Sequence, residues 1–255
     1  KLVIEQTRGR AMVVAADRAW WTGKECEFAD FALDAGADIL MVLPPNWAGG
    51  PTHDTYVEHY RAVARHIPVM LVTAPFIANQ ATGLRVIRTL RDTEPNIVAI
   101  KDDVIGEFAR KMTLAVHEQW AVFSGGQKQN HFDLHPYGCD GYMSTYLHFW
   151  PEVSHAYWRA VQAADLDACA EIIRIYDHPW FEYAEGEAGA FDAMFHATQE
   201  LYGIGGRWRR TPYHSFTDEQ MERLKAFYDG LPAIESVVPA YAGAGATSAA
   251  ASVAG

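Results

Sequence analysis

The chain has 255 residues, 49% of them hydrophobic, and a formal net charge of -11. That length supports one large domain or two small ones with a real core, and the acidic balance argues against nucleic acid or an anionic membrane surface as a partner. No run approaches the roughly 20 apolar residues of a membrane helix, no apolar leader follows Lys1, and three scattered cysteines suit neither a disulfide framework nor a zinc site.

Short apolar runs alternate with helical patterns along the first part of the chain. Strands are expected at Ala11–Ala16, Ala37–Leu43, Pro68–Ala74, Asn96–Lys101, Trp120–Ser124 and Gly141–Tyr146. The runs are continuous rather than alternating, as in parallel strands covered on both faces. Between them, Lys24–Ala35, Thr52–His66, Leu84–Leu90, Glu107–Val116 and Asn130–His135 carry helical spacing, with Tyr56, Tyr60, Val63 and Ala64 on one stripe. This is a βα repeat with right-handed crossovers and a parallel sheet. After Tyr146 the alternation stops. Pro151–Ala163, Leu166–Tyr183, Gly189–Tyr202 and Thr217–Tyr228 read as helices, the last opened by a Thr217/Gln220 capping box. The expected division is an α/β part over 1–150, a helical part over 151–235 and an Ala/Gly/Ser-rich flexible tail over 236–255.

Ligands in α/β folds gather at strand C-termini. The six ends here are Ala16-Asp17, Pro44-Pro45-Asn46, Thr73-Ala74-Pro75, Lys101-Asp102-Asp103, Ser124-Gly125-Gly126-Gln127 and Tyr146-Leu147-His148. Lys101 closes the run Asn96-Ile97-Val98-Ala99-Ile100. A lysine there is costly if charged and dry. Either its amine reaches water along its apolar stem, or it is kept partly neutral for attack on a carbonyl.

Asn96-Ile97-Val98-Ala99-Ile100-Lys101-Asp102 resembles the lysine strand of the dihydrodipicolinate synthase and N-acetylneuraminate lyase family. Three further stretches are similar to family motifs in the family's order: Gly36-Ala37-Asp38-Ile39-Leu40-Met41-Val42-Leu43-Pro44-Pro45, Phe123-Ser124-Gly125-Gly126 and Gly138-Cys139-Asp140-Gly141-Tyr142-Met143-Ser144. The resemblance runs from about Val3 to Leu231. It implies a (β/α)8 TIM barrel with a C-terminal helical extension, and a class I lysine forming a Schiff base with a pyruvate-type 2-keto acid. It also implies a homo-oligomer, dimer or tetramer, working without a cofactor. The odd, dispersed cysteines Cys26, Cys139 and Cys169 fit a reducing cytoplasm.

The departures are specific. Val72-Thr73-Ala74-Pro75 stands where the family has its Y-N-V-P motif, so valine occupies the place of the proton-shuttling tyrosine, and valine cannot transfer a proton. Phe76 and Ile77 replace the arginine that often follows, and Asn46 replaces the second tyrosine of the P-Y-Y pair. The family's first two strands have no counterpart. Six strands leave two sheet edges, and the expectation is a chain that starts inside a longer protein.

Lys101 is therefore the expected catalytic residue. Val72, Thr73, Asn46, Ser124, Gly125, Tyr142, Met143 and Ser144 are the expected substrate-binding set, with no metal. Thr73, Ser144, Tyr142, Tyr146, His148, Asn46 or a held water are the candidates to replace the missing acid/base, Tyr142 and His148 preferred among titratable groups. His148 could instead cap the helix that follows it. Three functions compete: a Schiff-base lyase or aldolase on a 2-keto acid, a dehydratase of a 2-keto-3-deoxy sugar acid, and a non-catalytic metabolite-binding or scaffold relative. The pair His131 and His135 reads as a wet helix surface rather than a metal site. Asp102 and Asp103 read as carboxylates that tune the lysine's charge. Gly203-Ile204-Gly205-Gly206 with Arg207, Arg209 and Arg210 reads as a structural connection.

Overall fold

Six parallel strands form one sheet in chain order, β1 (Val14–Ala16), β2 (Ile39–Val42), β3 (Val69–Val72), β4 (Ile97–Asp102), β5 (Ala121–Ser124) and β6 (Gly141–Tyr142). The computed structural model describes residues 1–16 and 20–242, so Asp17 and the tail beyond 242 lie outside the described residues. Every neighbouring pair is parallel, with Val14 opposite Ile39, Leu40 opposite Val69, Val72 opposite Lys101 and Ser124 opposite Tyr142. Sequential order with right-handed crossovers places all the connecting helices on one face of the sheet, the arrangement of a barrel rather than a doubly wound fold. Among the described residues β1 pairs only with β2, and β6 only with β5.

A helix α1 (Leu2–Thr7) precedes the sheet, and α2 (Thr22–Ala35), α3 (His53–Ala64), α4 (Gln80–Thr93), α5 (Gly106–Val116) and α6 (Gln127–Leu134) alternate with the strands. Outward-facing Leu40, Val42, Leu71, Ile100 and Val122 pack with Tyr60 and Val63 of α3, Val86 and Leu90 of α4, and Phe108 and Met112 of α5. Those helix positions recur at three- and four-residue spacing, which puts them on one stripe. The other face of the sheet carries a smaller cluster, Ile39, Met70 and Ala99, with Met41, Phe123 and Met143 against it.

The strands are shorter than the apolar runs. Ahead of β1, the Val13 N–H donates to Asp38 Oδ2 at 2.7 Å rather than to a neighbouring strand. β3 stops at Val72 because Thr73 turns into helical backbone and Pro75 enters a 3₁₀ turn over Ala74–Phe76. β6 ends at Tyr142, not Tyr146. Ser144 Oγ pairs with Ser154 Oγ at 2.6 Å and the Thr145 N–H donates to Gln127 Oε1 at 2.8 Å, so neither joins the ladder. α4 starts earlier than Leu84, since the Asn79 side chain caps it by accepting from the Thr82 N–H.

The chain divides into two compact units, residues 1–126 with 130–143, and residues 127–129 with the described residues from 144 on. The second unit is helical: α7 (Pro151–Gln162), α8 (Leu166–Ile172), α9 (His178–Gly186), α10 (Ala190–Leu201), α11 (Asp218–Asp229), α12 (Ile234–Val237) and α13 (Pro239–Ala242). The expected single helix over Leu166–Tyr183 is interrupted by a π turn at Ile173–Asp177. Pro179 follows one residue later and has no N–H to return to an earlier carbonyl, so a widened turn there relieves the ladder. Thr217 and Gln220 form the capping box of α11. Buried Trp180 donates its indole N–H to Tyr228 Oη at 2.8 Å, next to Thr198 Oγ1 at 2.9 Å.

Lys128 and Asp177 are buried within this unit at 2.5 Å, with the Lys128 ammonium 4.5 Å from the Tyr146 ring centre. The Tyr146 hydroxyl donates to the Tyr176 carbonyl. Arg207 pairs with Glu200 and Asp218, and Arg209 with Asp192, so both arginines are spent on internal carboxylates.

Candidate active site

Lys101 sits near the C-terminal end of β4, between Val72 of β3 and Phe123 of β5 in the sheet register. It shares a face with Ala99, two residues earlier, so its stem runs over the smaller cluster while the amine reaches the rim. Its side chain is 20% exposed. Nζ donates to both oxygens of Asp103, at 2.6 Å to Oδ1 and 2.7 Å to Oδ2. Asp103 follows by two residues, the strand spacing that returns a side chain to the same face.

Asp102 points the other way and is fully buried. Its carboxylate accepts from the Thr73 hydroxyl at 2.9 Å, from the Ile105 N–H at 3.0 Å and from the Val104 N–H at 3.3 Å. Burial pushes the Asp102 carboxyl up, against those three hydrogen bonds. Thr73 is buried too, and its Oγ1 also accepts from the Asp103 N–H at 2.8 Å. The two aspartates thus divide the work: Asp102 orders the turn into α5, and Asp103 meets the lysine.

The turn after β5 closes on the same point. The Gly125 N–H donates to the Asp102 carbonyl at 2.7 Å, and a Cβ at Gly125 would lie 2.0 Å from Asp103 Oδ1. Only glycine leaves room there for the carboxylate. Ser124 is buried, and its Oγ accepts from the Gly126 N–H. Asp103 was legible as a charge beside the lysine. The signal for the bidentate contact is the two-residue spacing of Lys101 and Asp103 at the end of a strand.

The other expected site residues fall in four places. Val72, 4% exposed, stands directly beside Lys101 in the register. Tyr142 ends β6 and Met143 follows it, both half-buried; Tyr142 is opposite Ser124, and the Met143 N–H donates to the Ser124 carbonyl. Asn46 donates its side-chain amide to the Pro75 carbonyl at 2.8 Å, tying the loops after β2 and β3 together. Ser144 belongs to the helical unit, where its hydroxyl faces Ser154.

Two expectations need correction. His148 does not cap the helix after it. Trp150 holds the cap position of α7, with no side-chain cap bond, and the exposed His148 ring lies edge-on to Phe195. The His131/His135 pair is a wet surface only at His135, which is exposed. His131 is fully buried, its ring 5.4 Å from Tyr142, and burial, with His135 adding, pushes it down to about 4. Among the described residues no cluster of three or more His, Cys, Asp or Glu could hold a metal. A cleft of about 370 Å³ lined by Ile4, Met12, Val13, Gly36 and Asp38 opens at the N-terminal ends of β1 and β2, the wrong end of the strands for Lys101.

An all-parallel sheet in sequential order, helices on one face, and a lysine with its carboxylate at a strand C-terminus define a TIM-barrel-type α/β protein with six of the strand–helix repeats. The dihydrodipicolinate synthetase family model matches residues 1–231, and the chain belongs to that family. It is 25% identical over 236 residues to the 4-hydroxy-tetrahydrodipicolinate synthase of Methanospirillum hungatei, covering 88% of this chain and 76% of that one. The match to the synthase of Nitrosospira multiformis is 30% over 176 residues, but spans only 56% of its length. A probable 5-dehydro-4-deoxyglucarate dehydratase of Xanthobacter autotrophicus is 27% identical over 206 residues, covering 78% of this chain and 67% of the relative. Among solved structures, the 4-hydroxy-tetrahydrodipicolinate synthase of Methylacidiphilum fumariolicum superposes with a TM-score of 0.78 at 17% identity, covering 94% of this chain and 79% of that one. A prophage protein of the same family from E. coli K12, in complex with pyruvate, gives 0.76 at 21% identity over 90% of this chain and 78% of its own.

Proposed function

We propose that this protein is a Schiff-base lyase or aldolase that holds a small 2-keto acid covalently on Lys101. The observation that carries the reading is the place of that amine: near the end of β4, 20% exposed, flanked by Val72 and Phe123. An amine so placed attacks the keto carbon, and the resulting iminium draws electrons from the neighbouring carbon bond. Gly125, just after β5, and Tyr142 and Met143, at the end of β6 one strand further on, are the residues this reading assigns to the space for the keto acid. No metal or cofactor enters the reading.

A second reading is supported by the relatives named as probable 5-dehydro-4-deoxyglucarate dehydratases, at 27% and 28% identity. There the same iminium would lose water from a sugar acid rather than break a carbon–carbon bond. Val72 in place of the family tyrosine removes one proton donor from either route.

The test is trapping. Incubation with pyruvate and borohydride should fix a pyruvate-derived mass on the peptide containing Lys101, and Lys101→Met should abolish it. No adduct with any of several 2-keto acids would exclude the enzyme readings and favour a scaffold. Product analysis then separates carbon–carbon cleavage from water loss. The reading includes a dimer or tetramer in the cytoplasm, supported by the family resemblance and the free thiols Cys26, Cys139 and Cys169; light scattering on the purified protein measures the first. Among the described residues no helix is long and apolar enough to cross a membrane.

A further inference from the structure

The geometry points to Asp103 as the acid/base of this site, the group that moves the protons Val72 cannot. The inference rests on the Schiff-base reading of Lys101. Both Asp103 oxygens lie within hydrogen-bonding distance of Nζ, at 2.6 and 2.7 Å, and the carboxylate is 24% exposed, so it can reach a bound keto acid. Three elements hold it in place. Thr73 accepts from its N–H, the end of β4 at Asp102 places it two residues past the lysine, and Gly125 leaves its carboxylate the space a methyl group would fill. The charged groups facing it are Lys101 and, across the strand, Asp102.

The proton inventory closes on this pair. Asp103 takes a proton from the Lys101 ammonium, leaving a neutral amine and a carboxylic acid. The amine attacks the keto carbon, a C–N bond forms, and a proton passes from nitrogen to the former keto oxygen through the carboxyl group. Asp103 then gives its proton to that hydroxyl, the C–O bond breaks, and water leaves. The product is a protonated imine beside an Asp103 carboxylate. Three nitrogen protons at the start become one on the iminium and two on water, and the net charge is unchanged. The carboxylate ends as the base nearest the carbon next to the iminium, where the next proton must be removed.

The test follows the rate of borohydride-trapped pyruvate adduct on Lys101 in wild type, Asp103→Asn, Asp103→Ala and Asp103→Glu, each checked for native circular dichroism. Asp103→Asn keeps the shape and loses the proton acceptor; its adduct rate should fall about 100-fold, the scale of a lost general acid/base. Asp103→Glu should keep part of the rate. Formate added to Asp103→Ala should restore part of it, which a merely structural role would not allow. Wild-type rates in Asp103→Asn, or a slow Asp103→Ala that formate does not accelerate, would overturn the role of Asp103 while leaving Lys101 intact. Absence of adduct on wild type would overturn the Lys101 reading itself, and Asp103's role with it. Should Asp103→Asn fail to fold, Asp103→Glu and the formate response of Asp103→Ala decide the question.

Discussion

Thr73 Oγ1 joins the two aspartates that follow the lysine: it donates to buried Asp102 at 2.9 Å and accepts from the Asp103 N–H at 2.8 Å. One hydroxyl on β3's exit thereby sets both the turn into α5 and the carboxylate that meets Lys101.

Replacing that hydroxyl should be felt in stability and in the reaction. Thr73→Val removes one of three hydrogen bonds to a buried carboxylate and strands the Asp103 N–H. The expected cost is about 1–3 kcal/mol by denaturant unfolding, with slower adduct formation at Lys101. Thr73→Ser keeps the oxygen and should restore most of both.

Gly125→Ala tests the close approach. Its Cβ would fall 2.0 Å from Asp103 Oδ1 and 2.8 Å from the Asp102 carbonyl. The second contact is backbone and cannot swing away, so the turn must shift. We expect a loss of about 1–3 kcal/mol, and at least about a tenfold slower trapping rate as Asp103 leaves the amine. Wild-type kinetics in Gly125→Ala would show that the turn does not hold Asp103.

The buried pair Lys128–Asp177 should behave non-additively. Each partner is nearly fully enclosed, and Asp177 Oδ2 has no hydrogen-bond partner among the described residues. Lys128→Met or Asp177→Leu alone leaves an uncompensated charge and should cost about 3–5 kcal/mol. The double variant should cost much less than the sum, read from chemical unfolding of all three proteins.

Acid should destabilise the first unit before its carboxylates are all protonated. Burial holds His59 down to about 4, and His131 to about 4 with His135 adding. Both start near 6.5 in the unfolded chain. Between about 6.5 and 4 the unfolded state binds these protons and the folded state does not, so stability is full above 6.5 and falls as the pH drops through that window. Each depressed histidine can account for about 3 kcal/mol of that fall. His59→Gln should flatten the stability–pH slope between pH 6.5 and 4, and an unchanged slope would show that His59 titrates normally in the folded protein.

Much of the fold is legible in the chain. Continuous apolar runs separated by helical stripes specify parallel strands with helices, because period and composition act locally. Where runs and strands disagree, a side chain had intervened. Asp38 takes the Val13 N–H, Pro75 ends β3, and Gln127 takes the Thr145 N–H. These partners lie 25 residues apart in one case and 18 in another, a distance that no local pattern encodes. The burial of His131 is hidden from the sequence for the same reason: its helix is polar, and burial is a property of what packs on it.

At the site, the sequence marks Lys101 as a lysine closing an apolar strand, which by itself leaves a water-reaching amine and a nucleophile both open; the family resemblance makes it the expected catalytic residue. The same resemblance carries the expectation that Val72 stands where the family has a proton-shuttling tyrosine. The sequence did not assign different tasks to two adjacent aspartates. That assignment is made where β3, β4 and the turn after β5 converge, with Thr73 turning Asp102 inward and Gly125 leaving space for Asp103. Residue type determines what a group can do, while its partner depends on which distant backbone is folded against it.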